Sequence, residues 1–425
     1  MLALFLSVLI VFSSVISSGL VQRYQTKLIW MINFFWSSLL IINRTRLSGL
    51  QIDWTWSEQI LISLLIFIPS MFTLLLIQGS SVKSYSLKPT FGDNFRDFES
   101  EVISKAVAFL IVLIALIFLV DFILHGIPIL NISMGSAILN ESRLAYRIPI
   151  LFSLAHSLVL VAAITSSMLF FQKRTTGRWL WILIFLYTIV CILHFSRGSF
   201  LVFMSTIMLS YFIFSPKTWL RKVVITISPI FFILILFSIF GDVRQNQGVK
   251  FGIIEYGMFI DGVPEILAWV IGYGIINLDN LILCIRDYDL RGDVGYKTLL
   301  NFAPAFIGEI LNLEYSSTSV DGIQVLPYVG RFNLPSSFGT LGYDYGWIGV
   351  YGYSFFIILL IPLLLRSAFS KMTVVSRILL VYLSLSYLFL TVTNFIFSSR
   401  FILFILSLII IKLLINKFHH PTIKH

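Results

Sequence analysis

The sequence is poor in charged residues and in cysteine, and it lacks the motifs of several large enzyme classes. Charged residues make up 12% of the 425 positions, whereas a soluble globular protein has about 25%, so the composition indicates a membrane protein. Two cysteines, Cys191 and Cys284, cannot form a disulfide framework. The sequence contains no Gly-Lys-Ser/Thr phosphate loop, no dinucleotide-binding glycine motif and no histidine spacing typical of zinc sites. We therefore expect neither a cofactor nor a metal.

Hydrophobic residues make up 58% of the chain, and most of them lie in long uninterrupted runs. A spanning helix needs about 20 mostly apolar residues, so the runs predict an all-α polytopic membrane protein with about 11 transmembrane helices. The predicted helices lie at 2–20, 28–42, 59–78, 102–124, 148–171, 179–195, 199–214, 223–240, 346–365, 377–395 and 401–416.

Basic residues between the apolar runs predict the orientation of the helices. They form clusters at 173–178, 217–222, 366–377 and 412–424. Short loops rich in lysine and arginine stay in the cytoplasm, and the helix count allows all four clusters to do so. The net charge of +10 is thus explained by membrane orientation, and we do not expect nucleic acid as a partner. This orientation places Arg197 and the loops at 125–147 and 241–345 on the outer side of the membrane.

The longest interruption of the apolar pattern is 241–345, which contains 12 of the 20 acidic residues and six of the 30 basic ones. Twelve acidic and six basic residues give it a formal charge of −6. Long connections of this kind are usually functional or disordered, and its many aromatic residues argue against disorder. We predict an ordered, charged cap with interfacial helices, one of them at 264–285. The chain then divides into a bundle of helices 1–8 (1–240), this loop, and helices 9–11 with a cytoplasmic tail (346–425).

Two arginine-containing motifs are candidates for binding an anion. Arg197 lies in a short outer turn between two apolar helices, where a charge is costly and points to function. Its planar guanidinium suits phosphate oxygens, although an interfacial arginine also binds lipid headgroups. The second motif, 286–293, contains Arg286, Asp287 and Arg291, which could bind an anion and supply a base. Its charges could equally neutralise one another.

A segment rich in glycine and aromatic residues, 328–352, precedes and enters the ninth predicted helix. Asp344 lies there between Tyr343 and Tyr345. Aromatic faces beside a carboxylate suit a sugar ring, but aromatic residues also form ordinary membrane-interface belts. In the other outer loop, Arg143 could join a basic pocket or be a solvated loop charge.

Several stretches together resemble the O-antigen polymerase family, the Wzy-type polymerases of oligosaccharide repeat units in bacterial inner membranes. Ser196-Arg197-Gly198 opens a helix as the family's Ser-Arg-Gly segment does, and Arg331 precedes Gly342 by the spacing of an Arg-x10-Gly motif. The other similar stretches are 22–42, 269–282 with Tyr273, 334–337 and 342–346.

The resemblance implies a fold like that of lipid-dependent (GT-C-like) glycosyltransferases, with a large periplasmic loop and an active cavity between this loop and the helix bundle. The expected reaction transfers a glycan from undecaprenyl diphosphate to a hydroxyl of another lipid-linked repeat unit. The expected partners are this lipid-linked oligosaccharide, membrane lipids and a chain-length regulator protein. The alternatives are an O-antigen ligase acting on the lipid A core, a transporter without covalent chemistry, and a sensor or scaffold protein. The absence of histidine from 241–345 counts against the ligase.

On this reading we expect the arginines to stabilise the departing diphosphate and a carboxylate to act as general base. The candidate catalytic residues are Arg197, Arg286, Arg291, Arg331, Asp287 and Asp344. The candidate substrate-binding residues are Arg143, Tyr273, Tyr343 and Tyr345.

Overall fold

The computed structural model describes a set of helical segments and the turns next to them. The regular structure of these residues is helical and contains no strand, which confirms the all-α class. The described residues are 33, 36–41, 43, 52–79, 97–128, 130, 149–172, 177–194, 196–215, 217, 221–222, 225, 278–290, 338–371, 373–389 and 399–419.

The helices numbered below coincide with eight of the predicted apolar runs and add one within the polar stretch 241–345, and the described residues of the predicted run 28–42 are helical as well. We number them in chain order. They are α1 (Trp56–Gly79), α2 (Asp97–His125), α3 (Pro149–Phe171), α4 (Arg178–Leu193), α5 (Arg197–Phe214), α6 (278–290), α7 (Gly339–Lys371), α8 (Val374–Leu388) and α9 (Ser399–His419).

Three stretches within these helices are long and apolar enough to cross a membrane: Ser100–His125, Leu151–Phe171 and Arg400–Phe418. Shorter apolar helices occur within α1, α4, α5 and α8. The described part of the chain therefore fits a membrane protein. The count of about 11 spans stays a prediction, and its members at 2–20 and 223–240 lie almost wholly outside the described residues.

Glycine explains the start of α4 and a break inside α7. Gly177 has a φ of +76° and immediately precedes α4, a conformation that other residues rarely adopt. Gly346 lies inside α7 with φ 57° and ψ −147°, so the helix is broken there. The ninth spanning helix was predicted to begin at 346, whereas α7 begins seven residues earlier, at Gly339. The break separates a glycine-rich first part from the long apolar second part.

The chain forms two compact units, each built from separated parts of the sequence. Unit 1 comprises Met1–Lys88, Lys250–Ser370 and Ser386–Ser398, and unit 2 comprises Pro89–Val249, Lys371–Leu385 and Ser399–His425. In unit 1, α7 packs on α1, and Ser354 Oγ donates a hydrogen bond of 2.6 Å to the carbonyl of Leu65.

Unit 2 contains α2 to α5, most of α8, and α9. Its core includes the edge-to-face pair Phe118 and Phe152, whose ring centroids are 6.0 Å apart. The rings of Tyr382 and Phe404 stack at 3.6 Å and join α8 to α9. Aromatic pairs of this kind add to the stabilisation that burial provides.

Side-chain contacts place several of the predicted cytoplasmic basic residues at one end of unit 2. Trp179, beside Arg178 at the start of α4, donates a 2.9 Å hydrogen bond to Ser104 at the start of α2. Arg377, in the first turn of α8, lies 3.9 Å from the sulfur of Met168 near the end of α3. Because α2 and α3 run antiparallel, these contacts belong to the same end, as the charge pattern predicted.

Candidate functional site

The first turn of α1 is fixed by a reciprocal capping interaction. The backbone N–H of Thr55 donates to Glu58 Oε2 at 2.6 Å. In return, the backbone N–H of Glu58 donates to Thr55 Oγ1 at 3.3 Å. This capping box satisfies two backbone donors and holds the Glu58 carboxylate in one position at the helix start.

Arg286 of α6 binds this same carboxylate with two nitrogens. Its Nε lies 2.7 Å from Glu58 Oε1, and its Nη2 lies 2.8 Å from Glu58 Oε2. Nη2 also donates to the carbonyl of Asp53 at 2.7 Å. Glu58 is 11% exposed and Arg286 37%, so the carboxylate is mostly protected from solvent while the guanidinium is partly screened by it. The arrangement ties α6 to the start of α1.

Asp279, two turns before Arg286 on α6, is 1% exposed. Trp54 Nε1 donates to its Oδ1 at 2.7 Å, and Asn43 Nδ2 lies 3.4 Å from the same oxygen. Its Oδ2 is buried and makes no hydrogen bond within the described residues. Burial raises the pKa of Asp279 to about 7, although the hydrogen bonds from Trp54 and Asn43 oppose the shift. We call Asn43, Asp53, Trp54, Glu58, Asp279 and Arg286 the Asp279 cluster.

The other side of α6 packs closely on the first part of α7. A Cβ built on Gly342 would lie 3.0 Å from Ile285 and 3.3 Å from Leu281. A Cβ on Gly346 would lie 2.6 Å from the ring of Tyr288. Glycine is therefore required for this approach of the two helices. The apolar residues of α6 that are buried by its packing are Leu278, Leu281, Ile282 and Ile285.

Asp344 lies on this first part of α7 and is fully buried. Tyr343 and Tyr345, which flank it in the sequence and are candidate substrate-binding residues, are half-buried. Asp287 on α6 is also half-buried, next to Arg286. Arg286 and Asp287 thus lie on α6 and the segment 343–345 lies on the first part of α7, and these two helices of unit 1 are in direct contact.

The remaining predicted site residues are described only in part or not at all. Arg197 is the first residue of α5, and only its backbone is described. The others lie outside the described residues: Arg143, Tyr273, Arg291 and Arg331.

Unit 2 contains a second polar cluster, at the end opposite Arg178 and Arg377. Asp121 of α2 is 5% exposed. Its Oδ1 lies 3.2 Å from Nδ1 of His125, the last residue of α2. Its Oδ2 lies 3.6 Å from Nε2 of His194, which directly follows α4. We call Asp121, His125 and His194 the Asp121 cluster.

Aromatic rings surround the Asp121 cluster. Phe122 stacks on His194 with centroids 4.6 Å apart, and Phe152 meets the same ring edge-on at 5.0 Å. Deeper in the unit, Tyr187 Oη and His156 Nδ1 are 2.7 Å apart and share a hydrogen bond. The cluster is therefore held in place by packing from α2, α3 and α4.

The start of α5 follows His194 by three residues. Ser196 is the N-cap, and its hydroxyl donates to Ser199 Oγ at 2.7 Å, so it leaves the first backbone N–H groups of the helix uncapped. A Cβ on Gly198 would meet none of the described residues within 4 Å, so this part of the turn is open on their side. Uncapped N–H groups at a helix start attract anions. This arrangement can bind a phosphate group.

Comparison with known proteins found no matching family model, no matching curated sequence and no matching solved structure.

Several residues of the two clusters were not predicted from the sequence, although parts of the signal were present. Thr55-x-x-Glu58 has the spacing of a capping box. Asp121 and His125 are four residues apart, which places them on one helix face. The contacts between Asp279 and Trp54 and between Asp121 and His194 join distant parts of the chain, and no local pattern indicates them.

Proposed function

We propose that this protein is a polysaccharide polymerase of the bacterial inner membrane, a glycosyltransferase with its large loop in the periplasm. It transfers a growing glycan from undecaprenyl diphosphate to a hydroxyl of a second lipid-linked repeat unit. The hydroxyl oxygen forms a bond to the anomeric carbon, and the bond to the diphosphate breaks with its electrons remaining on the diphosphate. The chain-length regulator and the lipid-linked oligosaccharide are its partners in this proposal.

The observation that carries the proposal is the Asp279 cluster. Two of its members, Asp279 and Arg286, belong to the long stretch that the charge pattern predicts to be outside the membrane. There, α6 is a helix whose Arg286 is bound by Glu58 in the first turn of α1, and whose Asp279 accepts a hydrogen bond from Trp54 just before that helix. An ordered polar cap at the start of a membrane helix suits chemistry on a polar headgroup at the membrane surface. Transporters instead bind their substrates near the bilayer midplane.

The start of α5 supports a diphosphate site. Among the described residues, the first N–H groups of the helix have no side-chain cap, and Gly198 has no neighbour within 4 Å of a built Cβ. Negative charge grows on the diphosphate as the glycosyl bond breaks, and fixed donors stabilise that charge more strongly than the ground state. Arg197 is therefore our first choice for the group that binds the leaving diphosphate.

Arg286 has a different role in this proposal. Its Nε and Nη2 are occupied by Glu58 and Asp53, so it holds α6 on α1 and leaves only Nη1 without a hydrogen bond among the described residues. The predicted catalytic roles of Arg291, Arg331, Asp287 and Asp344 remain part of the proposal. Tyr273, Tyr343, Tyr345 and Arg143 remain its candidate substrate contacts.

The surface-glycan profile of a deletion strain tests the proposal. Loss of a polymerase should leave lipopolysaccharide with a core and a single repeat unit, and the chain expressed from a plasmid should restore the ladder. Bare core in the deletion strain would indicate a ligase or a transporter instead. An unchanged ladder would contradict all three and favour a sensor or scaffold.

A further inference from the structure

We propose that His125 is the general base that takes the proton from the acceptor hydroxyl, and that Asp121 positions it. This inference rests on the proposed glycosyl transfer. It assigns the general base to a histidine, whereas the sequence suggested only carboxylates for that role.

The geometry of the Asp121 cluster suits a base held by a carboxylate. Asp121 Oδ1 lies 3.2 Å from His125 Nδ1. In the tautomer in which His125 Nδ1 carries the hydrogen and donates it to Asp121 Oδ1, the Nε2 lone pair of His125 is the acceptor. His125 is 22% exposed, whereas Asp121 is 6% exposed. The histidine is thus the member of the pair that a substrate can reach.

A simple helix-end contact does not account for this cluster. A histidine in the last turn of a helix and an acidic residue four positions earlier often form a weak surface pair. Here Asp121 lies within a stretch apolar enough to cross a membrane, where an ionisable residue is costly. A second histidine, His194, comes from another helix to within 3.6 Å of the other carboxylate oxygen. Aromatic packing then fixes that second ring.

The position of the Asp121 cluster also fits the reaction. His194 precedes the first residue of α5, Arg197, by only three positions, so the cluster and the proposed diphosphate site lie at the same end of unit 2. The reaction needs a base near the acceptor hydroxyl and an anion-binding group near the diphosphate. Both are available at this end.

The proton and electron balance is simple. The acceptor hydroxyl gives its proton to His125 Nε2 while its oxygen forms the bond to the anomeric carbon. The bond between that carbon and the diphosphate oxygen breaks, and its electron pair remains on undecaprenyl diphosphate. The imidazolium formed is stabilised by Asp121 and later releases its proton to water. No oxidant, reductant or further reactant is needed.

The test uses the full chain, purified in detergent or lipid, with an undecaprenyl-diphosphate-linked oligosaccharide. His125→Ala should lower the rate of polymer formation at least about 100-fold, the range expected for loss of a general base. Added imidazole should restore part of that rate, since it can enter the vacated space and take the proton. Asp121→Asn should lower kcat while the KM for the lipid-linked substrate stays unchanged. His419→Ala, at the last residue of α9, is the control and should match the wild type.

The outcomes separate this inference from the proposed function. An active wild type together with an active His125→Ala, or with an inactive variant that imidazole does not rescue, overturns the assignment of the base and leaves the proposed function intact. A wild type that makes no polymer overturns both. If His125→Ala does not accumulate, His125→Asn replaces it, because its amide can still donate to Asp121 but cannot accept the proton. An active His125→Asn would likewise overturn the assignment.

Discussion

Arg286 and Glu58, 228 positions apart in the sequence, are joined by two hydrogen bonds of 2.7 and 2.8 Å. The contact connects a helix of the polar stretch 241–345 to the first turn of an apolar helix. It explains why this part of the polar stretch is ordered, because Glu58 is itself fixed by its capping interaction with Thr55. The charges of the stretch are thus used partly for assembly.

The first prediction concerns this ion pair. Arg286→Ala leaves a mostly buried carboxylate without its partner and should lower the free energy of unfolding by about 1–2 kcal/mol, given the partial exposure of the guanidinium. Glu58→Gln should lower the free energy of unfolding by a similar amount. In a double-mutant cycle, the two changes together should cost less than their sum. Thermal unfolding of the purified protein measures each value.

The matched control is the pair Lys105 and Glu101, which are 60% and 65% exposed. Glu101→Gln should leave the melting temperature close to that of the wild type. Equal effects at the exposed and the protected pair would contradict our view of how α6 is held.

The second prediction concerns the break in α7. Gly346→Ala forces a side chain into a φ of +57° and places its Cβ 2.6 Å from the ring of Tyr288. The backbone strain alone should lower the free energy of unfolding by about 1–3 kcal/mol. Gly352, on the same helix, has nothing within 4 Å of a built Cβ, so Gly352→Ala should be neutral or stabilise by up to about 1 kcal/mol. Melting temperatures of the two variants decide this, and the opposite order would refute the close packing of α6 on α7.

The third prediction concerns pH and Asp279. Its pKa is raised by burial from 3.8 to about 7, so between these values the folded protein holds a proton that the unfolded chain has lost. The contribution of this carboxyl to the free energy of unfolding is fully present below about pH 4 and is lost as the pH rises through about 7. The total loss is about 1.4 kcal/mol for each unit by which the pKa values of the folded and unfolded states differ.

Asp279→Asn isolates this effect, because the amide oxygen can still accept from Trp54 but does not titrate. The wild type should lose more stability than the variant between pH 5 and pH 8, as measured by melting temperature in the same detergent. Parallel pH profiles for the two proteins would show that Asp279 does not titrate as described.

The fourth prediction concerns Arg197. Arg197→Ala should abolish long-chain polymer while the amount of protein in the membrane stays normal, because the leaving diphosphate loses its charged partner. Arg178→Ala is the matched control: Arg178 lies 4.7 Å above the ring of Trp179 at the other end of unit 2. It should leave the glycan ladder intact. A normal ladder from Arg197→Ala would remove this residue from the mechanism.

Much of the fold was predictable because membrane helices have a strong composition signal. The predicted runs at 148–171 and 199–214 differ by one or two residues from α3 (Pro149–Phe171) and α5 (Arg197–Phe214). The start of α7 was placed too late, since glycine and polar residues before Gly346 resemble a loop by composition. Those residues are helical because α6 covers them, and only small residues allow so close a contact.

The site was less predictable than the fold for a physical reason. Arg286 was recognised as a charged residue in a polar stretch, but its partner Glu58 is set by tertiary packing. His125 and His194 are far apart in the sequence, and no local pattern shows that the ends of α2 and α4 meet. Asp121 brings them together. Composition identifies membrane helices, whereas a polar site depends on contacts between distant segments.

The central claim is that this protein joins lipid-linked oligosaccharides, and reconstitution tests it most directly. The purified chain in liposomes is supplied with an undecaprenyl-diphosphate-linked repeat unit as the only substrate, and the products are separated by size. We expect a ladder of longer lipid-linked glycans, with one undecaprenyl diphosphate released for each bond formed, and no ladder from Arg197→Ala. A repeat unit that remains unchanged with folded wild-type protein, under conditions in which a known polymerase extends its own substrate, would contradict the account.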